Sequence, residues 1–89
     1  MIQKEIKIIN KLGLHARAAM KLTQLSSRYS REISMTYNNR TVHAKSIMGL
    51  MLLGASCGAI LTLNVQGEDE EEAAESVEKL INDRFGEAE

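Results

Sequence analysis

Eighty-nine residues, 44% of them hydrophobic, suffice for one modest core, expected to form a single domain over 1–89. The aromatics are Tyr29, Tyr37 and Phe85, so an aliphatic core is expected; no apolar run nears the ~20 residues that span a bilayer, and the start of the chain lacks a secretory signal's apolar stretch. Net charge is −1, but Met1–Ser46 carries nine Lys/Arg against two acids (+7) and Ile47–Glu89 two against ten (−8).

That partition predicts either two faces that attract each other within one fold or a basic surface that meets an acidic partner. The single Cys57 has no partner for an internal disulfide, which fits a reducing compartment. A cytoplasmic location without membrane insertion is expected.

The elements follow in chain order. Residues 2–9 alternate, with Ile2, Ile6 and Ile8 on one face, and predict a strand. Residues 16–28 predict a helix, its apolar stripe being Ala18, Leu22, Leu25 and Tyr29. Residues 32–37 alternate again, and Asn38-Asn39 predicts a tight hairpin into 40–44, because Asn tolerates positive φ. Ser46 is placed to cap a short helix over 47–53. Residues 59–66 are a strand with Ala59, Leu61, Leu63 and Val65 inward. A helix over 69–84 closes the chain, its stripe Ala73, Val77, Leu80 and Ile81, its first turn acidic as the helix dipole favours. Four strands with one apolar face each predict an α+β fold, a mostly antiparallel sheet with helices on one side. Periodicity leaves the strand order open, and a ferredoxin-like arrangement with it.

The chemistry concentrates in Lys11-Leu12-Gly13-Leu14-His15-Ala16-Arg17-Ala18-Ala19. Gly13 permits a turn, and the helix is expected to begin just after His15. A helix start leaves backbone N–H groups unpaired and carries about half a positive charge. The amides here are those of Ala16, Arg17 and Ala18. No Asp or Glu lies between Asn10 and Arg31 to answer that charge. Arg17 adds to it, at a cost of roughly 0.3–1 kcal/mol at an exposed site. Such a start suits an incoming anion. An unprotonated imidazole nitrogen of His15 is a competent nucleophile toward phosphorus, and the Arg17 fork fits phosphoryl oxygens. These residues alone leave a second reading open, an indifferent N-cap histidine followed by a solvated arginine.

Gly13-Leu14-His15-Ala16-Arg17 resembles the phosphohistidine signature of the HPr family, the histidine-containing phosphocarriers of the bacterial phosphoenolpyruvate-dependent sugar phosphotransferase system. A second segment, Lys45-Ser46-Ile47-Met48-Gly49-Leu50-Met51, resembles the same family, and the likeness covers essentially the whole chain. The resemblance implies an open-faced β-sandwich, βαββαβα, with a four-stranded antiparallel sheet and three helices on one face. It implies that His15 takes phosphate on Nδ1 from phosphorylated enzyme I and passes it to enzyme II A domains, with Arg17 positioning the group. Ser46 would take a regulatory phosphate from an HPr kinase/phosphorylase. The family commonly has proline where this chain has Ala18, which here restores an N–H and loosens the first turn.

The segment 47–53 has more apolar residues than one face of a short helix can bury; Ile47, Met48 and Met51 are candidates for a docking patch beside His15. Such a covalent carrier needs no cofactor, and a carrier that shows His15 to successive partners is expected to be a monomer. No His, Cys or acidic cluster has metal-ligand spacing. Cys57 is expected to be a small packed residue, and His43 to point to solvent. The runner-up is a regulatory binding module of a nitrogen-linked or incomplete phosphotransferase system, acting through Ser46 or phospho-His15 on kinases or transcription factors. Nucleic-acid binding lacks stacking aromatics on the strands.

Overall fold

The structure, a computed structural model, describes residues 1–29 and 32–89. The alternating segments form strands β1 (Ile2–Lys7), β2 (Glu32–Tyr37), β3 (Arg40–His43) and β4 (Ile60–Gln66), and the 3.6-periodic ones form helices α1 (Ala16–Ser26), α2 (Ile47–Leu52) and α3 (Glu70–Asn82). The four strands make one antiparallel sheet in the order β1-β4-β2-β3, with Ile6 opposite Leu61 and Met35 opposite Leu63. The helices cover one face, which gives the open-faced sandwich.

The period-2 pattern becomes packing directly. Ile6, Ile8, Ile33, Met35, Leu61, Leu63 and Val65 point into the core and meet Ala18, Leu22, Ala73, Val77 and Ile81 from α1 and α3. Each fully buried large aliphatic contributes roughly 1.5–3 kcal/mol relative to exposure. Leu25, Tyr29 and Leu80 sit half-buried against that cluster. The open face is polar. Gln3 Nε2 donates to Asn64 Oδ1 (2.8 Å), Asn64 Nδ2 to Thr36 Oγ1 (3.4 Å), and Thr36 shares a proton with Thr41 (2.8 Å). This ladder crosses all four strands in spatial order.

Asn38 and Asn39 take φ of 51° and 63° and turn β2 back into β3 as the sequence predicts. Gly13 is required twice over. Its φ is +68°, and a Cβ would stand 2.7 Å from Ala55 O and 2.8 Å from Ser56 Cα. Leu14 N donates to that same Ala55 carbonyl at 2.9 Å, so the loop before α1 is stitched to the loop after α2.

Three expectations need correction. The core is not purely aliphatic, because Phe85 is fully buried. The last helix ends at Asn82, and a 3-10 turn over Arg84–Gly86 follows, with Arg84, Phe85 and Gly86 at φ of 55°, 54° and 79°. The non-glycine members of that turn carry strain of roughly 1–2 kcal/mol each, which burial of the Phe85 ring offsets. Cys57 is exposed, not packed, in the loop ahead of β4.

Among the described residues the ion pairs join the basic first half to the acidic second half: the Met1 amino group to Glu70 (3.0 Å), Lys4 to Glu78 (3.2 Å) and Lys11 to Glu89 (3.5 Å), with a His15–Glu87 contact beside them that is ionic only when the ring is protonated. The charge partition seen in the sequence is therefore spent in part within the fold.

Candidate functional site

The site begins with the turn before α1. Buried Asn10 donates from Nδ2 to Gly13 O at 2.8 Å, fixing the reversal that presents His15. His15 takes extended backbone angles and caps the helix, with Ala19 N donating to its carbonyl at 2.8 Å. Its ring bends back over the helix start, where Nδ1 accepts from the Arg17 amide at 3.3 Å. A nitrogen that accepts carries no proton, so these partners assign the ring proton to Nε2. Nε2 faces Glu87 Oε2. Glu87 Oε1 in turn accepts from Asn10 Nδ2 at 3.0 Å.

Glu87 reaches the site because the left-handed turn at Arg84–Gly86 folds the end of the chain back over α1. Phe85 anchors that turn in the core, and Lys21 Nζ donates to the Phe85 carbonyl at 2.6 Å. Burial alone would raise the Glu87 carboxyl, but hydrogen bonds from His15 and Asn10, with attraction from His15 and Lys21, hold it below the usual carboxylate range.

The helix start thus differs from its sequence expectation in one respect. No acid stands in the first turn of α1, as predicted, yet the position is not left without a counter-charge, because a carboxylate 72 residues away supplies one. Around it lies a groove of about 740 Å³ lined by Lys11, Leu12, His15, Ala16, Arg17, Glu87, Ala88 and Glu89. The Arg17 side chain is exposed on this groove, and its guanidinium makes no hydrogen bond or ion pair among the described residues. Ala18 turns its methyl into the core, leaving only its backbone to the helix start.

The structure thus brings His15, Ala16 and Arg17 together and puts Ser46 elsewhere, at the start of α2. Ser46 Oγ accepts from Gly49 N at 3.0 Å, an ordinary N-cap. On α2, Leu50 is buried, and Leu53 just beyond it, while Ile47, Met48 and Met51 are exposed; Met48 is the most so, at 70%. His43 is exposed on β3. Sequence reasoning missed Asn10, Lys21 and Glu87. One signal was available: Phe85, the chain's single phenylalanine, follows an amphipathic helix and had to be buried somewhere.

A histidine capping a helix on the covered side of a four-stranded open-faced sandwich defines a class of protein, and comparison with known proteins gives its family. The family described as "PTS HPr component phosphorylation site" matches residues 2–83. The chain is 52% identical over 89 residues to the phosphocarrier protein HPr of Cupriavidus necator, and 49% identical to that of Neisseria meningitidis serogroup A, each alignment covering all of both chains. The crystal structure of an HPr from Thermoanaerobacter tengcongensis superposes with a TM-score of 0.95 at 45% identity, again over the full length of both. The chain belongs to the HPr family of phosphocarriers of the phosphotransferase system. Among the described residues no helix is long and apolar enough to cross a membrane.

Proposed function

We propose that this protein carries a phosphoryl group on His15 Nδ1, receiving it from phosphorylated enzyme I and passing it to enzyme II A domains in the cytoplasm. The observation that carries the reading is the direction of Nδ1. Its lone pair faces the start of α1, where the Arg17 amide already donates to it. Phosphorus bonded there would take over that amide through an oxygen, with the neighbouring N–H groups of Ala16 and Ala18 and the Arg17 guanidinium as further donors. The site needs no metal or cofactor for this transfer, since the carrier forms one covalent bond and returns it.

Exposed Ile47, Met48 and Met51 form the docking surface of this reading. The bond from Leu14 N to Ala55 O ties the end of α2 to the His15 loop, so one partner can cover both. A single domain over 1–89, acting as a monomer, leaves the groove open to successive partners. Regulatory phosphorylation at Ser46 by an HPr kinase/phosphorylase is part of the same reading. A phosphate there adds about −1.5 to −2 charges at the start of α2 and changes the docking surface without refolding it.

Incubation with phosphoenolpyruvate and enzyme I tests the function. The protein should acquire an acid-labile, base-stable phosphate that His15→Ala abolishes. An unlabelled wild type, or label persisting on His15→Ala, overturns the carrier role. In the same assay Ser46→Asp should slow labelling, and an unchanged rate removes the support for Ser46 control.

A further inference from the structure

We propose that Glu87 is a positioning residue for phosphoryl transfer, its carboxylate holding the His15 ring with the proton on Nε2 and the Nδ1 lone pair free for phosphorus. The inference rests on the carrier reading above and adds the group that prepares the nucleophile.

Three observations carry it. The Glu87 carboxylate meets the ring nitrogen opposite the one that faces the helix start. Its other oxygen is held by Asn10, which is buried and also fixes the Gly13 turn, so a single side chain aligns both the histidine loop and the carboxylate. The segment that delivers Glu87 is anchored independently, by the buried Phe85 ring and by Lys21 on the Phe85 carbonyl. The carboxylate is therefore built into place.

A carboxylate accepts and cannot donate, so it selects the ring form with hydrogen on the nitrogen it faces. The opposite tautomer would leave Nε2 and the carboxylate with facing lone pairs, and would put a hydrogen on Nδ1 against the Arg17 amide. Both contacts exclude it. During transfer, Nδ1 forms its bond to phosphorus while the bond from phosphorus to the donor's leaving atom breaks, and that atom keeps the electron pair. The ring then carries a positive charge, with phosphorus on Nδ1 and the original proton still on Nε2. Glu87 faces that charge throughout. On delivery the sequence reverses, and the ring returns to the same neutral form.

The test uses the full chain with Glu87→Ala, Glu87→Gln and Glu87→Asp, each checked for an unchanged amide spectrum. Nitrogen-15 shifts of the His15 ring, recorded with the ring neutral and no donor present, read the tautomer. Single-turnover labelling by phosphorylated enzyme I reads the transfer. The wild type should show the Nε2–H form alone. Glu87→Ala should relax toward a tautomer mixture, and Glu87→Gln should do so further, because its amide can donate to Nε2. Both should slow transfer about tenfold, the lower end of the loss seen when a carboxylate that orients a metal-ligating histidine is removed, and Glu87→Asp should recover part of each effect. Unchanged shifts, or changed shifts with transfer rates at the wild-type level, overturn the proposal. An unlabelled wild type overturns the carrier reading instead, and the ring shifts, measured without any donor, tell the two failures apart.

Discussion

At the level of single residues, the proposed transfer would divide its work between His15 and Arg17 by geometry. The histidine ring is partly covered and tied at both nitrogens, whereas the guanidinium is exposed and untethered among the described residues. An untethered arginine costs little to reorient toward an arriving phosphoryl group, and its planar fork can grip two oxygens where lysine offers a point charge. Arg17→Ala should therefore slow phosphorylation of His15 by about 10- to 100-fold, the worth of a charge-assisted contact of roughly 1.5–3 kcal/mol. Arg17→Lys should recover only part of that loss. Because Arg17 buries nothing in the core, the unfolding midpoints of both variants should stay near wild type, which thermal melts alongside the rate measurements would check. Equal rates for Arg17→Ala and wild type would remove Arg17 from the transfer. Ala18 is a different case: its methyl is core, so its substitution reads packing and helix start together.

Among the elements, the 3-10 turn after α3 joins the core to the site. Phe85 sits fully buried at φ 54°, in a conformation that only a strong anchor holds. Phe85→Ala removes the anchor and leaves the strain, so it should destabilise the fold by about 3–5 kcal/mol. In the same variant, hydrogen exchange or backbone relaxation should show residues 84–89 released from α1. Destabilisation with that segment still held would mean that Lys21 and Glu87 suffice without the ring. This element also marks where sequence reading stopped. The alternation in Ile2–Lys7 and Ile60–Gln66, the Asn38-Asn39 turn and the Ser46 cap are local patterns, and each predicted element stands within a few residues of its place. The strand order β1-β4-β2-β3 was not legible, because it depends on pairing between segments far apart in the chain. Glu87 was not legible for the same reason, and because two left-handed non-glycine residues give no pattern that points to a reversal. The helix start itself was legible from Gly13, His15 and the missing acids; its counter-charge came from the other end of the chain.

For the molecule as a whole, the two oppositely charged halves meet along one seam, where β1, the His15 loop and α1 face α3 and the end of the chain. Lys4 with Glu78 and Lys11 with Glu89 are exposed there, and pairs of that kind contribute at most about 1 kcal/mol each and weaken with salt. Glu87 is the more enclosed member of the seam, and its carboxyl is lowered from an ordinary value of 4.5. The unfolded chain therefore binds the Glu87 proton at a higher pH than the folded chain does. Stability from this group is present in full above pH 4.5 and falls away as the pH drops through the lower, folded value. Urea unfolding followed from pH 7 down to pH 3 should show the wild-type midpoint above that of Glu87→Gln at neutral pH, with the gap closing below about pH 4.5. A gap that stays constant across the range would mean that the Glu87 charge does not contribute to stability, and that its contacts with His15 and Asn10 work through shape alone. A gap that closes in acid would show that the ionised Glu87 carboxylate, the same group that faces the His15 ring, also fastens the acidic half of the chain to the basic one.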